Sequence, residues 1–267
     1  MVSPNTHLSA SQSHEYFSPA ASSGDRRIHE RAMFDDRIHA GQRLAAGLQE
    51  YVGSPDTVAL SLSRGGAVVG SVVAEHLDIP HFYYMVRPIP CATMPRLSLG
   101  SVAGDGSVRV DNLVAKSLGI MCDATAEATT GSTALMQAVE AVDEQLQTEQ
   151  GSFWRAPPCA GDLQGKTLLV VDDGMEAGDT VREAIMHLRH CYRPCRIVVV
   201  VPVCLADLRW QLRRRHGVCV VDIVSPLFVG SIARWYACGV AASEAEQVLL
   251  ARLFVGPASA IGAFDYD

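Results

Sequence analysis

The sequence predicts an α/β fold, a doubly wound parallel sheet with a small irregular hood. Short apolar runs typical of buried strands alternate with helix-length amphipathic segments along much of the chain. The first such unit is a strand at 57–62, a helix at 67–77 and a second strand at 81–86. Strand–helix–strand units pair their strands in parallel, and right-handed crossovers place helices on both faces of the sheet.

A second regular region begins at residue 167. The apolar run Thr167–Val171 is the clearest strand of the chain, and a glycine-containing loop at 172–180 follows it. Further strands are predicted at 196–203 and 218–224, and helices at 34–48, 133–147, 181–190 and 205–216. Ser243 and Glu246 have the spacing of a capping box, which predicts the start of a last helix.

The ends and the middle of the chain differ in composition from these regular regions. Residues 1–27 are rich in serine, proline, alanine, histidine and asparagine, which predicts a disordered tail. Residues 87–159 contain prolines and glycines among shorter patterns, and we expect them to form the hood within a domain spanning 28–256. Residues 257–267 form a predicted C-terminal tail.

Composition limits the classes of function. The net charge is −7 and the pI is about 5.7, so the sequence shows no general footprint of a nucleic-acid-binding protein. Arg213, Arg214 and Arg215 form one basic cluster, which we interpret as a solvated helix end. The eight cysteines show no CxxC pair and no zinc spacing. Without a signal peptide or a bilayer-length apolar run, the sequence predicts a cytoplasmic protein that does not bind membranes.

The loop that follows the first strand of the second region carries the chemistry. Asp172 and Asp173 stand where that strand ends, at the edge of a parallel sheet where ligands bind. Gly174 and Gly178 let backbone N–H groups approach an anion, the start of the next helix favours negative charge, and Thr180 adds a hydroxyl donor. This combination suits a sugar phosphate: the loop would hold the phosphate while the two acids accept hydrogen bonds from ribose hydroxyls.

The residues alone leave two questions about this loop open. Carboxylates are hard oxygen ligands, so Asp172 and Asp173 could also hold Mg²⁺, directly or through water. Acidic residues followed by glycine also occur where a chain simply closes a strand-to-helix turn, and that structural alternative applies to the residues at 172–174 as well.

The loop resembles the phosphoribosyl diphosphate binding motif of type I phosphoribosyltransferases, which consists of a hydrophobic strand, two acidic residues and a short loop with glycine and threonine. Other segments are similar to a small bacterial-type group of predicted phosphoribosyltransferases. The residues at 63–66 resemble its Arg-Gly-Gly loop, those at 84–87 a strand ending in an Arg-Lys pair, and those at 226–236 its C-terminal segment. The resemblance spans roughly residues 34–253.

The resemblance implies several groups of site residues. Ribose and its 5′-phosphate would be bound by Asp172, Asp173, Gly174, Met175, Glu176, Ala177, Gly178, Asp179 and Thr180. Pyrophosphate would be bound by Ser63, Arg64, Gly65, Gly66 and Arg87. The implied catalytic residues are Asp172, Asp173 and Glu176, and the two aspartates are also the implied magnesium ligands. Phe228 would stack on an acceptor ring or, alternatively, fill the core.

The implied reaction transfers ribose 5-phosphate from phosphoribosyl diphosphate to an unidentified acceptor and releases pyrophosphate. By resemblance the acceptor is a nitrogenous base, the cofactor is Mg²⁺ and the protein is a homodimer. Such an enzyme is a pentosyltransferase of nucleotide metabolism. General acid–base chemistry on the acceptor is one interpretation of Glu176.

Four residues depart from the pattern of this group. Pro88 stands in place of a lysine, Arg96 in place of a common glutamate, and Glu176 and Asp179 are acidic where neutral residues are usual. These departures leave open an alternative, a regulatory protein that binds phosphoribosyl diphosphate or a nucleotide without efficient transfer. A third hypothesis is a phosphohydrolase that uses Asp172.

Overall fold

The computed structural model describes residues 32–94, 97–120, 129–150, 158 and 160–255. Its strands are β1 (Thr57–Ser61), β2 (His81–Tyr83), β3 (Val86–Pro90), β4 (Ser98–Ala103), β5 (Val108–Val110), β6 (Thr167–Val171), β7 (Arg196–Val203) and β8 (Cys219–Val224). Its helices are α1 (Arg37–Ala46), α2 (Arg64–Leu77), α3 (Asn112–Ser117), α4 (Thr129–Gln150), α5 (Ala160–Leu163), α6 (Asp179–Tyr192), α7 (Ala206–His216) and α8 (Glu244–Val255). The tails predicted at 1–27 and 257–267, and Arg96, lie outside the described residues.

Five parallel strands form the central sheet in the order β2–β1–β6–β7–β8. Leu60 of β1, Val170 of β6 and Val199 of β7 lie in register across its centre. After their first residues, β6 and β7 are buried throughout, as expected for parallel strands covered on both faces. Valine is frequent in them because a β-branched side chain packs well on a pleated surface. The predicted parallel α/β sheet is confirmed.

Helices cover both faces of this sheet, which makes the fold doubly wound. Leu168 and Val170 of β6 face one apolar core, which α6 and α7 complete. Leu169 and Val171 face the opposite core, to which α1 and α2 contribute. Because successive side chains of a strand point to opposite faces, the single strand β6 contributes to both layers.

The hood, which the sequence predicted to be irregular overall, contains strands and helices. The strand expected at 81–86 is two strands, because the chain leaves the central sheet after β2 and enters a three-stranded antiparallel sheet of β3, β4 and β5. Pro88 and Pro90 lie in β3, an edge strand, where residues without an N–H are tolerated. α4, with 22 residues, packs on this sheet. Within the described ranges, no helix combines the length and the apolar character that crossing a bilayer requires.

A buried cluster of polar side chains attaches the hood to α6. His187 of α6 is fully buried, and its ring nitrogens lie 2.9 Å from Ser101 Oγ and 2.8 Å from Ser107 Oγ. Arg109 of β5 pairs with Glu183 of α6 at 2.5 Å. Burial lowers the pKa of His187 to about 4, so the ring is neutral near pH 7 and can accept one hydrogen bond while it donates another. These contacts fix the hood to the helix that follows the predicted phosphate loop.

We expect Gly70→Ala to destabilise the protein by about 1–3 kcal/mol. α2 packs so closely on β1 that a Cβ at this position would overlap the Ser61 hydroxyl and lie 3.0 Å from His81 Nε2. Gly47→Ala is the matched control, because its Cβ would meet only the Leu44 carbonyl at 3.4 Å. Urea denaturation followed by circular dichroism measures both variants. Equal stability of the two would contradict the close packing of α2 on β1.

Candidate active site

A cleft of about 500 Å³ opens at the carboxyl ends of β1 and β6. Its lining includes five residues that the sequence predicted for the site: Ser63, Arg64, Arg87, Asp172 and Thr180. It also includes four that the sequence analysis did not assign to the site: Leu62, Tyr83, Met85 and Thr148. Both strand-end loops and the hood therefore contribute to one cavity, at the sheet edge where open α/β folds bind ligands.

A hydrogen bond between Ser63 and Asp172 joins the two loops. The Ser63 hydroxyl donates to Asp172 Oδ1 and accepts the N–H of Gly66 at 2.9 Å. Ser63 is thus the N-cap of α2, which begins at Arg64. The prediction that this helix starts at 67 was wrong, because the serine cap starts it three residues earlier.

Only glycine fits at positions 65 and 66, because the side chains of Asp172 and Asp173 lie directly against these residues. A Cβ on Gly65 would lie 2.6 Å from Asp173 Cγ, and a Cβ on Gly66 would lie 2.8 Å from Asp172 Oδ1. Real Cβ atoms do not approach other atoms this closely. A larger residue at either position would therefore displace a carboxylate from the cleft edge.

The Asp172 side chain is buried, with 8 % of the residue exposed. The backbone N–H of Asp173 donates to Asp172 Oδ1 at 3.0 Å. Burial raises the pKa of Asp172 to about 7, the neighbouring charge of Asp173 adds to the rise, and the hydrogen bond from Ser63 opposes it. Near neutral pH the carboxyl group is therefore divided between its neutral and ionised forms.

Asp173 has a partner that the sequence did not reveal. Arg37 Nε donates to Asp173 Oδ2 at 2.8 Å, and both side chains are largely buried. Arg37 is the first residue of α1 and precedes Asp173 by 136 positions. No local spacing or periodicity marks an arginine that pairs across such a separation, so sequence patterns could not identify it.

The predicted phosphate loop turns into α6 at Gly178. This glycine has φ 72° and is the N-cap of α6, without a capping side chain. The first N–H groups of a helix have no intrahelical acceptors, so an anion is favoured at this end of α6. Thr180 places a hydroxyl-bearing residue in the lining of the cleft. The helix begins at Asp179, two residues before its predicted start.

Met175 contacts the end of the central sheet and is not among the residues that line the cleft. Its side chain is buried, its N–H donates to the Val203 carbonyl at 2.8 Å, and its carbonyl accepts the Leu205 N–H at 3.2 Å. These contacts fix the loop to the end of β7 and engage both backbone polar groups of Met175.

The two acidic residues that depart from the family pattern lie in different surroundings. Asp179 forms an ion pair with Arg182 of α6, and Arg182 also donates to the Ala177 carbonyl at 3.1 Å. The arginine offsets the repulsion that Asp179 would exert on a nearby phosphate. Glu176 is exposed and is not among the residues that line the cleft.

Phe228 and Pro88 are outside the lining of the cleft. Phe228 is 74 % exposed, so the ring is not a core residue, and its stacking role stays a prediction. Pro88 belongs to β3, next to the cleft-lining Arg87. Of the two neighbouring residues Arg87 and Pro88, only Arg87 therefore supplies a positive charge at this point of the site.

The acidic pair offers few ligands for a metal ion. In the part of the chain that the structure describes, no group of three or more histidine, cysteine or acidic residues is arranged to hold a metal. Asp173 is also already paired with Arg37. The donors present fit a Mg²⁺ ion that keeps several water molecules and takes further oxygen ligands from a bound phosphate group, as Mg²⁺ usually does.

Comparison with known proteins gives curated relatives and a solved structure. The chain is 30 % identical over 219 residues to a protein of Mycobacterium tuberculosis H37Rv provisionally named a phosphoribosyl transferase, and equally to its counterpart in strain CDC 1551. The match covers 81 % of this chain and 46 % of the relative, so the chain spans about half the length of the curated relatives it matches. The crystal structure of TT1426 from Thermus thermophilus is similar with a TM-score of 0.64 and 25 % identity, covering 81 % of this chain and 97 % of that one. No family model matches.

The parallel sheet, the hood and the strand-end cleft define a doubly wound α/β protein with a cleft where two parallel strands end, at the edge where such folds bind ligands. A protein provisionally named a phosphoribosyl transferase matches 81 % of the chain, so over most of its length the chain is similar to a protein of the kind that the loop at 172–180 indicated.

We expect Asp172→Asn to be more stable than the unchanged protein at pH 8, by roughly 1 kcal/mol or more. The pKa of Asp172 in the folded protein, about 7, lies above its ordinary value of 3.8. Between these values the folded protein keeps a proton that the unfolded chain has released, so stability falls as pH rises through this window. The asparagine amide does not titrate, so the variant does not lose this stability as the pH rises.

Urea denaturation at pH values from 4 to 8 measures the effect, with Asp56→Asn as the control because the Asp56 side chain is 83 % exposed. The control should follow the unchanged protein at every pH. If Asp172→Asn also followed it, the buried charge inferred for Asp172 would be refuted.

Proposed function

We propose that the protein transfers ribose 5-phosphate from phosphoribosyl diphosphate to an acceptor and releases pyrophosphate. The hydrogen bond from Ser63 to Asp172 carries this proposal, because it brings an arginine-bearing loop and an acidic loop into one cleft. A ligand that suits both needs hydroxyls for the acids and anionic groups for the arginines and the start of α6. Phosphoribosyl diphosphate has all of these groups.

The ribose and its 5′-phosphate would bind along the loop from Asp172 to Thr180. Asp172 and Asp173 would accept hydrogen bonds from the 2′- and 3′-hydroxyls. The N–H groups at the start of α6 and the Thr180 hydroxyl would donate to the phosphate. Held at both ends, the ribose would keep one orientation, which is the positioning that displacement at C1 requires.

The pyrophosphate would bind between Arg64 and Arg87, which both line the cleft. At C1 the bond to the pyrophosphate oxygen breaks and a bond to the acceptor nitrogen forms, through a transition state with oxocarbenium character. The arginines would stabilise the charge that grows on the departing pyrophosphate. Mg²⁺, held by Asp172 and Asp173 directly or through water, would neutralise part of the same charge.

The acceptor would bind beside the hood, where Tyr83, Met85 and Thr148 line the cleft. An aromatic ring, a thioether and a hydroxyl together suit a flat nitrogenous base. Stacking by Phe228 and acid–base chemistry by Glu176 remain hypotheses within this proposal. A homodimer and a cytoplasmic location are also expectations of the resemblance.

A binding protein without efficient transfer is the second candidate. Pro88 in β3 supplies no charge beside Arg87, and the exposed Glu176 adds an acid to the phosphate loop. The third hypothesis, a phosphohydrolase, needs an accessible nucleophile. Asp172 lines the cleft, but its Oδ1 already accepts hydrogen bonds from the Ser63 hydroxyl and the Asp173 N–H, which argues against that role.

Calorimetric titration with phosphoribosyl diphosphate and Mg²⁺ tests the proposed site. We expect the double variant Asp172→Asn with Asp173→Asn to lose roughly 100-fold in affinity, since a hydrogen bond to a charged group contributes about 1.5–3 kcal/mol. Asp56→Asn, which changes an exposed acid just before β1, should bind like the unchanged protein. Equal affinity of the double variant and the unchanged protein would show that the acids do not bind this ligand.

A panel of purine and pyrimidine bases then separates the two candidate functions. We expect pyrophosphate release with at least one base, because Arg64, Arg87 and Asp172 line one cavity. Tight binding of phosphoribosyl diphosphate without release for any base would favour the regulatory protein instead. A coupled assay for pyrophosphate measures the outcome.

A further inference from the structure

We propose that Arg37 is a positioning residue for Asp173 and that it connects α1 and α8 to ribose recognition. The inference rests on the proposed function, since it concerns how one of the two acids is presented to the ribose hydroxyls. Neither Arg37 nor Asp173 is among the residues that line the cleft, but Asp173 directly follows the cleft-lining Asp172. Arg37 would therefore act on a ligand through Asp173.

The Arg37 side chain is fixed by three different groups. Its Nε donates to Asp173 Oδ2 at 2.8 Å, its Nη1 lies 3.6 Å from Glu246 Oε2, and its guanidinium carbon lies 4.7 Å from the ring centre of Tyr236. The side chain is 12 % exposed. A planar guanidinium can donate in several fixed directions and stack on an aromatic ring at the same time, which a lysine ammonium cannot do.

Glu246 of α8 anchors this arginine. The residue is fully buried, and its carboxylate accepts the backbone N–H of Arg37 at 2.5 Å and that of Ser243 at 3.0 Å. The Ser243 hydroxyl accepts the N–H of Glu246 at 3.1 Å, which confirms the predicted capping box. A buried carboxylate requires such partners, so the positions of α1 and α8 depend on this contact.

Tyr236 fixes the backbone of the same aspartate. Its hydroxyl donates to the Asp173 carbonyl at 2.5 Å, while its ring lies against the Arg37 guanidinium. Asp173 is therefore held through its carbonyl by Tyr236 and through Oδ2 by Arg37. Both restraints come from segments far from the loop at 172–180 in sequence.

Arg37 also reduces the electrostatic repulsion between the two adjacent acids. Asp172, which lines the cleft, and Asp173 are adjacent acids, and like charges this close repel each other. The guanidinium beside Asp173 offsets this repulsion on one side of the pair. The Asp173 carboxylate is thus held in one orientation before a ligand arrives, which reduces the ordering that binding requires.

The test compares two ligands without Mg²⁺, ribose 5-phosphate and inorganic phosphate, by NMR titration. Both use the phosphate loop, but only the sugar presents hydroxyls to the acids. For Arg37→Gln we expect about 10-fold weaker binding of ribose 5-phosphate, and binding of inorganic phosphate within about twofold of the unchanged protein. General damage to the fold would weaken both ligands together, so the ratio of the two affinities isolates positioning.

Arg43→Gln is the matched control. Arg43 lies on the same helix and also contacts an aromatic ring, that of Phe34, but it is exposed and does not pair with Asp173. The preference of the Arg43→Gln variant for ribose 5-phosphate over inorganic phosphate should equal that of the unchanged protein. If Arg37→Gln kept the full preference as well, the positioning role would be overturned while the proposed function stood.

A different outcome would affect the proposed function itself. If the unchanged protein bound ribose 5-phosphate no more tightly than inorganic phosphate, the acids would not recognise the sugar, and the role of Arg37 would be overturned with it.

Two further variants cover the case that Arg37→Gln does not fold. Arg37→Lys keeps a positive charge beside Glu246 but cannot meet both acids from one planar group, so it should also lose preference for the sugar. Tyr236→Phe removes the donor to the Asp173 carbonyl and should shift the ratio in the same direction by a smaller factor. Full preference in both folded variants would overturn the inference.

Discussion

Where β1 and β6 end, the hydroxyl of Ser63 is hydrogen-bonded to the buried carboxylate of Asp172. The rest of the cleft depends on this contact. Because Ser63 also caps α2, one side chain sets both the start of a helix and the position of an acid in the neighbouring loop. Gly65 and Gly66 permit the contact, since a Cβ on either would occupy the space of the acids. The packing of α2 on the sheet and the shape of the cleft therefore have a common cause.

The central sheet and the main loop could be predicted because their signals are local. A run such as Thr167–Val171 followed by two acids and a glycine-containing turn identifies a strand and the residues at its end. The capping box at Ser243 likewise marked the start of α8. The start of α2 was missed because two glycines, which have low helix propensity, follow Arg64, and the serine cap outweighed that local preference.

The parts that could not be predicted depend on contacts between distant segments. Arg37 reaches Asp173 only because α1 and α8 pack beside the end of β6, and no spacing in the sequence records that packing. Met175 falls within the predicted loop, but the end of β7 decides that its side chain is buried and its backbone is engaged. The burial of His187 in the attachment of the hood has the same origin.

The prolines of the hood affect the tendency of the protein to aggregate in concentrated solution. Pro88 and Pro90 leave the edge strand β3 without an amide hydrogen at two positions. A foreign strand joins the border of a sheet through a continuous row of backbone donors and acceptors, and this row is interrupted. The two prolines therefore lower the tendency of this edge strand toward aggregation by strand addition.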